Sequence, residues 1–220
     1  MLLQNDVLAE FGALVASGQC NSYEGPLFTG VDLGTANTVL AVVDSDGHPV
    51  AGATARSKGV RDGIVVDYVG TVQAVSRMKA ALEEKLGCEL PVAATAIPPG
   101  IIEGNVKCIA NVVEGAGFEV RGIADEPSAA SEILGIQEGA VVYVGGGTTR
   151  ISILKNGKVV FAADEPTGGT HMSLVTAGYY GITFEEAEEM MLDPTREDDV
   201  FPLVIPVIEK MATIVKKYID

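Results

Sequence analysis

Two short glycine-bearing turns, each set between apolar runs, constrain this chain more than any other feature. The first is Val31-Asp32-Leu33-Gly34-Thr35-Ala36-Asn37-Thr38, and the second is Val144-Gly145-Gly146-Gly147-Thr148-Thr149-Arg150-Ile151-Ser152. Glycine in such a turn removes the Cβ that would hold backbone N–H groups away from an anion, and threonine hydroxyls add donors. One loop of this kind reads as an ordinary β-turn. Two at matching places in two halves of a chain read as a pair that grips a polyphosphate from both sides. Asp32, just before the first loop, is the residue type that holds Mg2+ through the ion's waters.

The hydrophobic pattern around the loops repeats. Short strands are expected over 27–33, 38–44 and 49–55, with Asp46-Gly47 turning the second into the third. A helix follows over 71–86, with Val72, Val75, Met78, Leu82 and Leu86 on one face. Then come a strand over 92–97 ended by Pro98-Pro99, a helix over 103–115, a strand over 118–123 and a helix over 127–134. At Gly139 the order starts again, with a strand over 140–144 and a hairpin, 150–154 and 158–163, around Asn156-Gly157. Further helices close the chain. One opens on the capping box Thr183 to Glu186; another spans 201–219 with Pro202 and Pro206 in its first turns. The repetition indicates a duplicated α/β fold, with domains at 27–136 and 137–220.

Residues 1–26 stand apart. Leu3, Val7, Phe11 and Leu14 fall at helical spacing, and a Gly-, Ser- and Asn-rich stretch follows, which reads as an amphipathic helix on a linker. Such a helix either docks on a partner or packs on its own domain.

Charge narrows the partners. A formal net charge of -15 and a pI near 4.4 oppose nucleic acid and anionic membrane surfaces. No run is apolar enough to span a bilayer, and the start lacks the basic flank of a secretory signal. Cys20, Cys88 and Cys108 form neither a metal pattern nor a disulfide frame, which points to a reducing cytoplasm.

The loops and the segments around them resemble the actin-like ATPases. Asp32 to Thr38 resembles the first phosphate motif of that superfamily and Gly145 to Thr149 the second. Asp125-Glu126-Pro127-Ser128-Ala129-Ala130 looks like its linking motif. Arg61-Asp62-Gly63-Ile64-Val65-Val66-Asp67 is similar to a segment of the rod-shape-determining bacterial actins, and Gly168-Gly169-Thr170-His171 to a further glycine pair near the phosphates. In length and order, and in the runs Ala163 to Gly169 and Glu209 to Val215, the chain resembles the ethanolamine-utilization protein J family, described as chaperone-like and encoded with bacterial microcompartments.

The resemblance implies a ribonuclease H-like (actin-like ATPase) fold of duplicated mixed-sheet domains with helices packed on them. It implies ATP or ADP with Mg2+ held by Asp32, Gly34, Thr35, Asn37, Thr38, Gly145, Gly146, Gly147, Thr148, Thr149, Arg150, Gly168 and Gly169. It implies a cytoplasmic protein associated with a microcompartment, whose enzyme or shell proteins Leu3, Val7, Phe11 and Leu14 would contact.

Departures limit the chemistry to a weak ATPase at most. Hydrolytic members carry acids where Tyr143 and Arg150 stand here. Tyrosine cannot serve as a carboxylate at neutral pH, while an arginine is suited to direct phosphate contact. Glu103 lies near a water-orienting glutamate of the bacterial actins; a solvated helix start is the plainer reading. The family's adenosine-binding glycine motif falls beyond Asp220, so a naturally short chain and a piece of a longer one are both open. A non-catalytic scaffold that keeps the fold and not the chemistry is the alternative function.

Overall fold

The computed structural model describes residues 2–61 and 63–219, with side chains from Asp6 onward. Asp62 of the bacterial-actin-like segment and the side chain of Leu3 therefore lie outside the described residues. The chain forms two compact units, Met1–Gln137 with Asn156–Lys158, and Glu138–Lys155 with Val159–Asp220.

In the first unit α1 (Leu2–Ser17) precedes an antiparallel meander of β1 (Phe28–Leu33), β2 (Asn37–Val43) and β3 (Pro49–Arg56). Side chains of β2 alternate, and Thr38, Leu40 and Val42 point inward. A two-strand ribbon of β4 (Val60–Arg61) and β5 (Ile64–Val65) follows. Then come α2 (Tyr68–Leu86), β6 (Val92–Ile97), α3 (Glu103–Gly115), β7 (Glu119–Asp125) and α4 (Glu126–Leu134). The helical connections let β6 join β1, and β7 join β6, in parallel, giving the order β3-β2-β1-β6-β7.

Helix α2 starts at Tyr68, three residues before the expected Thr71, because Asp67 caps it by accepting the N–H of Gly70 at 2.9 Å. Gly87, with φ of 65°, ends it. Thr71, Val75, Met78 and Leu82 form its buried stripe. Val75, Met78 and Leu82 meet Leu40, Val42, Leu90, Ile109, Val112 and Val113 in one core. Each large aliphatic side chain buried there stabilises the unit by about 1.5–3 kcal/mol before entropy is counted.

Of the two readings open for the N-terminal helix, the packing is that of a helix set on its own domain. Leu14 is buried, and Phe11 and Val15 rest on β3 at Gly52, where a Cβ would lie 2.5 Å from Phe11 and 2.7 Å from Val15. The linker is pinned too. The Asn21 backbone N–H reaches the Val50 carbonyl at 2.8 Å, and its side-chain amide donates to the Pro49 carbonyl at 2.9 Å and to Glu10 at 2.7 Å. Phe11 and Val15 are thus spent on the protein's own sheet and Leu14 is buried; Val7 is half-buried.

The second unit opens with β8 (Gly139–Val144), β9 (Thr149–Lys155) and β10 (Lys158–Glu165) in the order β10-β9-β8. The turn between β9 and β10 has positive φ at both Asn156 (52°) and Gly157 (68°), the backbone that an Asn-Gly pair accommodates most easily. Helices α5 (Gly169–Tyr180), α6 (Phe184–Leu192) and α7 (Glu197–Ile219) follow. The Thr183 capping box forms as expected, with Thr183 Oγ1 accepting the N–H of Glu186 and the Glu186 carboxylate accepting the N–H of Thr183.

Helix α7 begins at Glu197, not Phe201, so Pro202 and Pro206 lie inside it. Three acids in its first turn, Glu197, Asp198 and Asp199, favour the earlier start through the helix dipole. Both prolines face outward, where carbonyls left without an N–H partner can be hydrated. Its buried stripe is Val200, Val204, Val207 and Met211. No helix among the described residues is long and apolar enough to cross a membrane.

Candidate functional site

The two glycine loops occupy equivalent places in their units. In the first, Leu33 pairs with Thr38 and Asp32 with Val39, so Gly34 to Asn37 close the hairpin. In the second, Val144 pairs with Thr149 and Tyr143 with Arg150, so Gly145 to Thr148 close it. Loop length and register are the same, and Tyr143 stands where Asp32 stands. The hairpins that carry the two glycine loops are therefore equivalent down to single residue positions.

Loop one is tight. A Cβ on Gly34 would lie 2.6 Å from the Asn37 carbonyl oxygen and 3.5 Å from Asp32 Oδ2, so the Asp32 carboxylate sits beside the turn. Asp32, Gly34 and Thr35 are half-buried, Asn37 is exposed and Thr38 is buried. The arrangement leaves a carboxylate next to a glycine backbone, the donor set that suits a hydrated cation beside a phosphate.

Loop two is braced from below. The Gly145 N–H donates to the Thr148 carbonyl at 2.9 Å. The N–H groups of Gly169 and Thr170, in the first turn of α5, donate to the carbonyls of Gly145 and Gly146 at 2.9 and 2.8 Å. Gly168 permits this approach, since a Cβ there would lie 2.5 Å from both carbonyl oxygens. The expected glycine pair, Gly168-Gly169, thus supports the loop with its backbone. His171 works at the same helix start, its Nδ1 accepting the N–H of Gly168 at 3.1 Å.

The threonines divide. Thr149 is fully buried and its hydroxyl donates to the Thr167 carbonyl at 2.6 Å, which ties β9 to the segment before α5. Thr148 is buried within loop two. Thr167 was not singled out in the sequence, where nothing marks a residue whose contribution is its carbonyl.

Tyr143, Arg150 and Asp164 come together on neighbouring strands β8, β9 and β10. The Arg150 guanidinium lies 5.7 Å from the Tyr143 ring centroid and its Nε is 3.2 Å from Asp164 Oδ2. The Arg150 side chain is 7% accessible and that of Asp164 31%. Where an acid was expected to be replaced by a phosphate-binding arginine, the guanidinium is engaged with a carboxylate on β10. Glu103 starts α3 with its side chain 82% accessible, 2.6 Å from Lys107. Among the described residues no cluster of three or more His, Cys, Asp or Glu forms a metal cage; one carboxylate, that of Asp32, suits a hydrated ion better than a dehydrated one.

No family model matches the chain. It is 44% identical over 209 residues to the ethanolamine utilization protein EutJ of Salmonella typhimurium LT2, covering 93% of this chain and 73% of that protein. The chain belongs to the EutJ family. The crystal structure of EutJ from Carboxydothermus hydrogenoformans superposes with a TM-score of 0.94 at 49% identity, covering 98% of this chain and 79% of that one. More distantly, MreB 5 of Spiroplasma citri, solved bound to AMPPNP, matches with a TM-score of 0.61 at 20% identity over 76% of this chain and 62% of that one. At that identity the likeness establishes the actin-like ATPase fold and nothing finer. This EutJ family member therefore has the fold that its glycine loops imply.

Proposed function

We propose that this EutJ family protein is a chaperone-like, nucleotide-responsive component of ethanolamine utilization. In this reading it binds ATP or ADP with Mg2+ through both glycine loops and hydrolyses it weakly or not at all. The observation that carries the reading is the equivalence of the two hairpins: the same register and the same loop length, with glycine opening each turn. The backbone at Gly34 and Thr35 and at Gly145, Gly146 and Gly147 would contact phosphate oxygens, with the hydroxyl of Thr148 as a further donor. Asp32 would orient the waters of a bound cation. A bound magnesium ion would neutralise charge on the terminal phosphates.

Weak hydrolysis follows from the second hairpin. Its two acidic positions carry Tyr143 and Arg150, and Arg150 is held by Asp164 at 3.2 Å. Thr149 also has a structural partner, so Thr149 and Arg150 brace the loop in this reading. Association with a microcompartment enzyme or shell protein belongs to the same proposal. It rests on the family's association with ethanolamine utilization and not on α1, whose Phe11 packs on β3 and whose Leu14 is buried.

Calorimetric titration of the protein with Mg-ATP tests the binding. Saturable heat, reduced at least about tenfold in affinity by Asp32→Ala, is expected. No heat and no thermal shift at millimolar nucleotide would refute it. The alternative, a scaffold without nucleotide chemistry, is favoured by the engaged side chains of Thr149 and Arg150. A phosphate-release rate abolished by Asp32→Ala would exclude that alternative.

A further inference from the structure

A polar cavity of about 240 Å³ lies wholly within the first unit, where β3 ends and α2 begins. Arg56, Lys58 and Arg77 line it together with Ser57, Gln73 and Asp67. The chain carries 15 basic residues against 30 acidic ones, so three cations around one small cavity run against its overall charge. Asp67 is the one carboxylate among the described lining residues, and its Oδ1 is turned to the N–H of Gly70 at 2.9 Å, inside the first turn of α2. Neither Lys58 nor Arg77 has an ion-pair partner among the described residues.

The backbone around the cavity is closely built. The Gly59 carbonyl accepts the N–H groups of Val66 and Asp67 at 2.8 and 3.1 Å. A Cβ on Gly59 would press into the Thr71 hydroxyl and lie 2.8 Å from the Asp67 carbonyl oxygen. The segment that carries Lys58 is therefore held against the start of α2 rather than swinging freely. It is also tied to loop one, because the Ser57 N–H donates to the Ala36 carbonyl at 2.9 Å.

We propose that this cavity is a binding site for a small phosphate-bearing anion, recognised by Arg77 and Lys58 with the Ser57 hydroxyl. Guanidinium groups match the paired oxygens of a phosphate, and an ammonium supplies a compact second charge. The volume lies below the roughly 300–1,000 Å³ of sites for drug-sized ligands, so a compact ligand fits and a folded peptide does not. The site does not depend on nucleotide binding at the glycine loops. Its link to Ala36 gives an occupant a direct route to the conformation of loop one.

The test is a titration of the 15N-labelled full chain with inorganic phosphate, and separately with glycerol phosphate, against sodium chloride of equal ionic strength. Saturating shifts at the amides of Lys58, Gly59 and Gly70 are expected, weakened at least about tenfold in K58Q/R77Q. Both side chains are on exposed residues, and the rest of the spectrum reports whether the variant keeps its fold. Tighter binding of glycerol phosphate would identify an organic phosphate as the occupant, and equal binding would identify phosphate itself. Shifts that also appear with chloride, that persist in K58Q/R77Q, or that are confined to residues 145–147 would overturn the proposal. The last outcome would leave the glycine-loop reading standing, so the two proposals fail separately.

Discussion

At the residue scale, the second hairpin keeps the register and loop length of the first while Tyr143 stands at the position of Asp32. Tyr143 and Arg150 face each other across β8 and β9, and Asp164 on β10 supplies the carboxylate that a buried guanidinium needs. Asp164→Asn should destabilise the protein by about 1–3 kcal/mol, less than the roughly 3–5 kcal/mol typical of a broken buried pair. Solvent reaches the 31% accessible Asp164 side chain and softens the loss. Urea denaturation measures it, and the same change in an Arg150→Met background should cost clearly less. Equal costs in the two backgrounds would show that the pair contributes nothing.

At the element scale, the docking of α1 is the most consequential packing choice. The β3 surface under α1 is shaped by the missing side chain of Gly52, into which Phe11 and Val15 settle. Gly52→Ala should therefore lift α1 and lower stability by about 1–3 kcal/mol, through overpacking rather than loss of burial. Faster amide hydrogen exchange through 6–17, with little change in α2 and α3, would be the accompanying signature. An unchanged exchange pattern would mean that α1 adapts without being displaced. The same element explains why an amphipathic pattern alone was ambiguous. Spacing of Val7, Phe11 and Leu14 locates an apolar face, and only the sheet opposite decides what covers it.

At the scale of the whole molecule, an excess of carboxylates makes acid the relevant stress. Several carboxyls sit below their ordinary range through specific partners. Glu165 is held low by the Tyr218 hydroxyl and then by Lys217, whose Nζ is 3.0 Å away, contacts that pin the end of α7 to β10. Glu186 is held low by the backbone N–H of Thr183, then by its hydroxyl. A carboxyl whose folded pKa is depressed stabilises the fold fully above its unfolded value, near 4.3 for Glu. That contribution disappears as pH falls through the folded value. Thermal stability should thus decline as pH drops below about 4.5. Glu165→Gln should give a protein that is less stable at pH 7 and has a shallower acid limb. Melting curves from pH 7 to pH 3 check both, and a parallel acid limb in the variant would remove Glu165 from the explanation.

Much of the frame was legible in the amino-acid sequence because it is written in local terms. Strand alternation, the Asn156-Gly157 turn, the Thr183 capping box and the paired glycine turns each depend on residues within a few positions of one another. The start of α2 lies three residues before the expected one although Asp67 carries a recognisable capping side chain, and α7 starts at Glu197, four residues before the expected Phe201. Tertiary structure alone decided the rest. It set α1 on β3, turned Arg150 to Asp164, gave the Thr149 hydroxyl to Thr167 and placed Arg56, Lys58 and Arg77 around one cavity. The physical reason is common to all four. Which partner satisfies a buried charge, hydroxyl or apolar face depends on residues that sequence separation hides and that chain packing brings together.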